Sequence, residues 1–137
     1  MGKFVTAINC IDGRVQVPVS EFLKNRYKAD YVDMITCPGP VKVLAQNESP
    51  SLISYLHDSA MLSVSHHNSE TIAIVAHFDC AANSLTKTEQ ILQIKYSICH
   101  MSKWNCSASI IGLWVDDHWQ VEEITCYTNT NSKKQTI

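Results

Sequence analysis

Two short segments hold the residues of this chain best suited to chemistry: Cys10-Ile11-Asp12-Gly13-Arg14 and His77-Phe78-Asp79-Cys80. Each follows an apolar, β-branched run, Phe4-Val5-Thr6-Ala7-Ile8 and Thr71-Ile72-Ala73-Ile74-Val75 respectively. If these runs are neighbouring parallel strands, Cys10, His77 and Cys80 converge at one end of the sheet. Two thiolates and an imidazole make a three-ligand zinc site whose fourth position is left for water, the pattern of a catalytic rather than a structural zinc. A free thiol titrates near ~8.5, but bound Zn²⁺ displaces its proton outright. Two thiolates also cancel the ion's charge, so bound water is acidified toward ~7 less easily than over neutral ligands.

The elements that must position these residues alternate along the chain. Phe4 to Asn9 reads as a first strand, and Pro18 opens a helix to about Arg26 with Val19, Phe22, Leu23 and Arg26 at helical spacing. Tyr31 to Ile35 is a second strand, ended by Pro38-Gly39-Pro40, and Val41 to Ala45 is ambiguous. Ser49 before Pro50 predicts an N-cap, with Leu52, Ile53, Leu56, Ala60 and Ser63 along the helix that follows. Thr71 to Ala76 is apolar without alternation, as in a strand buried on both faces.

Thr86 and Glu89 form a capping box for a helix carrying Ile91, Leu92, Ile94, Tyr96, Ile98 and Cys99. Ser109 to Val115 is a fourth strand, and Asp116-Asp117 turns the chain tightly into an antiparallel edge strand, Trp119 to Ile124. The order β-α-β-α-β-α-β-β predicts one α/β domain over residues 1–127, a mostly parallel sheet with helices on both faces, and a polar, frayed tail from 128 to 137. In such sheets ligands bind beyond the carboxyl ends of strands where strand order reverses, and Cys10 and His77 both stand at carboxyl ends.

Bulk properties narrow the function. The chain has 137 residues, 45% of them apolar, enough for one core and too few for two domains. A net charge of −2, with no basic run longer than Lys133-Lys134, argues against nucleic-acid binding. No apolar stretch approaches the ~20 residues of a membrane span, and Met1-Gly2-Lys3-Phe4-Val5 leads straight into a strand with no signal-peptide pattern. The six cysteines, at 10, 37, 80, 99, 106 and 126, form no disulfide framework, which suggests a cytoplasmic protein with metal-binding and buried thiols.

The remaining candidates have plainer readings. Cys99, Cys106 and Cys126 are expected in the core. Cys37 either packs in the turn against Pro38 and Pro40 or lines the pocket as a ligand or reactive thiol. His66-His67 suit the carbonyl end of a helix, and His57, His100 and His118 read as surface or helix residues. Asp79 is either an acceptor beside the metal or a loop cap. Trp104, Trp114 and Trp119 read as core and edge packing. A phosphatase-like or rhodanese-like nucleophile at Cys10 fits poorly, because the loop between Cys10 and Arg14 is too short to wrap a phosphate.

Cys-x-Asp-x-Arg after the first strand with His-x-x-Cys after a later one resembles the β-class carbonic anhydrases, and most of all the small truncated members of that superfamily. The resemblance extends from Phe4 to about Ile124. It implies Cys10, His77 and Cys80 as zinc ligands, Asp12 and Arg14 as the catalytic carboxylate–guanidinium pair, a strand order of 2-1-3-4, and a homodimer. It further implies zinc-hydroxide attack on carbon dioxide to give bicarbonate, with Arg14 clamping Asp12 bidentately and keeping it off the metal. Departures from the family pattern are Gly13 where Ser is usual, Ala81 where Gly is usual, and Thr36-Cys37-Pro38-Gly39-Pro40 in place of an Arg-Asn-Ala-Gly-Asn type run; the N-terminal helical extension is also missing. These leave the ligands intact and alter the pocket. Two alternatives therefore stay open, a non-catalytic zinc protein and a hydrolase of carbonyl sulfide or carbon disulfide.

Overall fold

In the computed structural model, which describes residues 2–128, β1 (Phe4–Asn9) lies between two parallel neighbours, β2 (Tyr31–Thr36) and β3 (Thr71–His77). β4 (Ser109–Val115) continues the parallel sheet from β3, and β5 (Val121–Tyr127) closes it antiparallel to β4, for an order of β2-β1-β3-β4-β5. The α/β class, the mostly parallel sheet and the antiparallel edge are as the sequence predicts.

Side-chain alternation along the strands splits the core into two layers. On one face Ile8, Ile72, Ile74, Ile110 and Trp114 pack with α2 (Pro40–Gln46), α3 (Pro50–His67) and α4 (Lys87–Ser102). On the other face Val5, Ala7, Ala73, Val75, Ile111 and Leu113 receive Val19 and Leu23 of α1 (Gln16–Tyr27). β3 is buried at every position, which explains its lack of alternation.

Several boundaries differ from expectation for local reasons. The ambiguous Val41–Ala45 stretch is helical, started by Pro40 after Gly39 at φ +53°. The first helix begins earlier than Pro18 because Asp12 caps a 3-10 turn, Gly13–Val15, that feeds it. Ser49 holds the N-cap position but its side chain makes no cap hydrogen bond, so proline carries that start. Thr86 does cap, its side chain accepting from the Glu89 N–H at 3.3 Å. The tight Asp116-Asp117 turn is longer than expected: Asp116 Oδ1 accepts from the backbone N–H of both His118 and Gln120 at 2.9 Å, and the strand starts only at Val121. The tail expected to fray lies outside the described residues except for Thr128.

Two further readings are corrected. Cys99 and Cys126 are exposed and Cys106 is half-buried. Cys99 lies beside the outward residues of α4 and Cys126 on the edge strand, where burial on one face leaves the other to solvent. His67 stands in the last turn of α3 as expected, but its side chain does not cap the carbonyl end: its Nδ1 lies 2.6 Å from Asp33 Oδ2 and its ring stacks on Phe4 at 3.9 Å, while Asn68 in the left-handed region ends α3. Ser63 donates to the same Asp33 oxygen at 2.7 Å, and buried Thr6 lies within 2.7 Å of Ser63 and Ser69. This polar network ties the end of α3 to β1 and β2.

Gly112 marks the tightest approach of α4 to the sheet. A Cβ there would overlap Ile94 Cγ2, and Ile94 is fully buried with nowhere to move. Gly112→Ala is expected to cost about 1–3 kcal/mol, the usual penalty of overpacking, read as a lower urea midpoint at unchanged m-value.

Candidate metal centre

β1 and β3 are paired only through Thr6–Ile72, Ala7–Ala73 and Ile8–Ile74. Beyond those pairs the two strands part, at the point where the chain's strand order reverses direction, and the residues that follow line the opening. Cys10, one residue past β1, and His77, the last residue of β3, face each other there, and the loop Phe78–Cys80 returns the second thiol to the same place. One ligand atom from each of Cys10, His77 and Cys80 lies within 4.8 Å of the others, and all three residues are buried.

The donor set fits a tetrahedral zinc. Two sulfurs each ~2.3 Å from a shared ion lie about 3.8 Å apart at a tetrahedral angle; Cys10 Sγ and Cys80 Sγ are 3.9 Å apart, far beyond the ~2.05 Å of a disulfide. His77 Nδ1 lies 2.7 Å from the Phe78 carbonyl, which can only accept, so Nδ1 carries the proton. That fixes the ring and turns Nε2, buried and without a hydrogen-bond partner, toward the sulfurs' side of the site.

The electrostatics also favour a cation. Burial would raise the Cys10 thiol, but His77 and the backbone N–H groups of Gly39 and Asp12 outweigh it and bring it down to about 7. Burial raises Cys80, and the charge on Cys10 adds to that against the N–H groups of Ala82 and Asn83. For His77 burial opposes the charged form, yet the neighbouring Cys10 and the Phe78 carbonyl prevail and raise its pKa. The surroundings thus favour negative charge on Cys10 over Cys80.

Asp12 and Arg14 stand at the rim as a fork-to-fork pair. Arg14 Nε donates to Asp12 Oδ1 at 3.0 Å and its Nη2 to Oδ2 at 2.7 Å, while the Arg14 backbone N–H reaches Oδ1 at 2.9 Å. The Arg14 side-chain hydrogen bonds outweigh partial burial and hold the Asp12 carboxyl at about 2, so it remains an anion through the neutral range. Asp79 is brought to this rim as well, accepting from Arg14 at 3.2 Å. Trp119, expected as edge packing, does pack against the core layer of α1, and its ring also lies under the Arg14 guanidinium at 4.6 Å. A cavity of about 430 Å³ adjoins Cys80, with Phe78, Asn83, Gln90 and Trp114 among its walls.

Cys37 is buried, and its backbone N–H donates to the Asn9 carbonyl at 3.2 Å, but its sulfur is not one of the grouped ligand atoms. Burial and then the Cys10 charge push its thiol up to about 11, which marks a packed neutral thiol. Two positioning residues escaped the sequence reading. Asn9, wholly buried, accepts the Cys10 N–H on Oδ1 at 2.9 Å and donates from Nδ2 to the Val15 carbonyl at 3.2 Å. Gln16 Nε2 donates to the carbonyls of Cys10 and Asp12 at 2.7 and 2.9 Å. Their only sequence signal was an amide at each end of the Cys10–Val15 segment.

The family described as "Putative carbonic anhydrase" matches residues 1–125 of this chain, which belongs to that family. Among solved structures, a β-carbonic anhydrase isoform from Trichomonas vaginalis is 16% identical with a TM-score of 0.57, covering 87% of this chain and 81% of its own. A carbonic anhydrase from Glaciozyma antarctica is 14% identical with a TM-score of 0.53, covering 88% and 81% respectively. Both are likenesses of fold. No curated protein matches the chain.

Metal analysis of purified variants tests the donor set. Cys10→Ala, His77→Ala and Cys80→Ala are each expected to abolish stoichiometric zinc, whereas Cys37→Ala retains one zinc per chain. Zinc affinity should rise with pH, because the Cys80 and Cys10 thiols, and His77 where it is protonated, must each lose a proton to bind. Each proton displaced makes affinity about tenfold stronger per pH unit, and a pH-independent affinity would exclude thiol ligation.

Proposed function

We propose that the chain is a zinc-dependent carbonate dehydratase, a lyase that interconverts carbon dioxide and bicarbonate, with Cys10, His77 and Cys80 holding the metal and Asp12 and Arg14 serving catalysis. The observation that carries this reading is the coincidence of two features at one strand opening: a buried Cys–His–Cys donor set, and beside it a carboxylate held by an arginine fork. Bound there, zinc would supply the Lewis acidity that makes water nucleophilic near neutral pH.

The chain's own residues do the rest. Asp12 is ionised at every working pH and can only accept, so it orients a proton-bearing nucleophile rather than removing its proton. Arg14 occupies both carboxylate oxygens and fixes the direction of what lone-pair capacity remains. The cavity beside Cys80 has room for a small uncharged substrate and its anionic product. No helix among the described residues is long and apolar enough to cross a membrane; a buried Cys10–Cys80 pair placed at metal-ligand rather than disulfide distance supports a cytoplasmic location. The open edge at β2, with Tyr31 exposed, supports a homodimer.

Stopped-flow hydration of carbon dioxide with zinc-quantified protein, from pH 6.5 to 9, tests the reading. The rate should rise with a single ionisation, one that cannot be Asp12's. Asp12→Ala should abolish turnover at unchanged zinc content, and loss of zinc in that variant would refute its role. Full zinc without hydration at any pH would favour the non-catalytic alternative, for which the changed Thr36–Pro40 segment speaks, or turnover of carbonyl sulfide or carbon disulfide.

A further inference from the structure

Arg14 is held by more than its carboxylate partner. A guanidinium has five N–H donors; besides those given to Asp12, Nη1 donates to Asp79 Oδ2 at 3.2 Å and Nη2 to the Asp79 carbonyl at 3.1 Å. Trp119 covers its face at 4.6 Å. Both residues hold backbone conformations that L side chains avoid, Asp79 at φ +58° and Trp119 at φ +60°. Aspartate reaches the left-handed region more readily than most residues, whereas for a bulky side chain such as tryptophan that conformation is an outlier. Two such residues, 40 positions apart in sequence (79 and 119), meet on one guanidinium.

In each case the turn has the means to impose the conformation. Asp79 lies inside the short loop between His77 and Cys80, where the left-handed turn directs both its carbonyl and its carboxylate to Arg14. Trp119 sits in the β4–β5 turn, whose shape is fixed by Asp116 accepting from the backbone N–H of His118 and Gln120. The Arg14 side chain is 46% exposed, so its pairing with Asp12 alone would be open to solvent competition.

We infer that Asp79 and Trp119 are positioning residues that hold Arg14 on Asp12 and so keep the Asp12 carboxylate from closing the metal's fourth position. The inference rests on the metal reading above. The two turns fix the arginine from two sides, and the arginine restrains a carboxylate only two residues from the Cys10 ligand.

Cobalt(II) substitution gives a readout independent of turnover. The protein is loaded with one equivalent of cobalt, and thiocyanate is titrated at fixed pH against the visible spectrum, with melting temperature as a control. Trp119→Ala should weaken thiocyanate binding about three- to tenfold, the span of one partly exposed cation–π contact, because the freed Asp12 competes for the site. Trp119→Phe, which keeps an aromatic face, should stay within about twofold. Asp79→Asn, at a position whose side chain is 67% exposed, should shift binding in the same direction by about two- to threefold, as for an exposed ion pair. Adding Asp12→Ala to Trp119→Ala should restore binding, which a merely structural defect would not do. Unchanged thiocyanate affinity in both Trp119→Ala and Asp79→Asn, or a loss that persists without Asp12, overturns the inference. If the unaltered protein takes up no cobalt, the metal reading itself fails, and that is seen before any variant is compared.

Discussion

The parting of β1 from β3 is the constraint on which the rest of the structure depends. The two strands pair through only three residues each, in the most buried part of the sheet, and then separate. Those pairs fix the register, and a slip of one residue would exchange the two faces of β1, placing Ile8 against α1 and Ala7 in the core layer that packs α3. The same register sets where Cys10 and His77 emerge. Site geometry and core packing are therefore not separable: the apolar burial that selects the register also brings the ligands together.

Beyond the strand ends, hydrogen bonding takes over from packing. Asn9 and Gln16 satisfy the backbone of the Cys10–Val15 segment, so the turn is held to β1 by buried amides rather than by side-chain bulk. The charge balance is then local. Two thiolates 3.9 Å apart would repel by about 4 kcal/mol at an effective dielectric near 20, and burial adds to that cost. A divalent cation reverses the sign of the problem. Without one, burial works against charge on Cys80, and negative charge is better supported on Cys10, next to His77 and backbone N–H groups.

The class of fold and the placement of Cys10, His77 and Cys80 at strand ends were legible from strong local signals: β-branched runs, motifs directly after them, and turn residues between. The order of the parallel strands, a matter of long-range pairing, came only through the resemblance of those motifs to a known family. The helix at Pro40–Gln46 was not, because seven residues are too few to show a period and its start depends on a left-handed glycine. Cys99 and Cys126 were misread because cysteine's average burial says nothing about which face of an amphipathic element it occupies. The pairing of His67 with Asp33 and the contact of Trp119, which packs as expected, with Arg14 escaped notice for a different reason. These partners are far away in sequence, and no local pattern encodes a pairing of that kind.

The altered segment after β2 can be understood in the same physical terms. What reaches Cys10 from Thr36–Pro40 is the backbone N–H of Gly39, which helps to lower the thiol. A backbone donor needs a conformation, not a particular side chain, and Gly39 adopts it at φ +53° against Ala82, where an added Cβ would come within 3.2 Å of the alanine methyl. The support this segment gives the Cys10 thiolate therefore does not depend on which side chains it carries. The cavity beside Cys80 is walled by other elements, Phe78, Asn83, Gln90 and Trp114 among them, so the sequence of residues 36–40 bears on the Cys10 donor through its backbone rather than on the walls of that cavity.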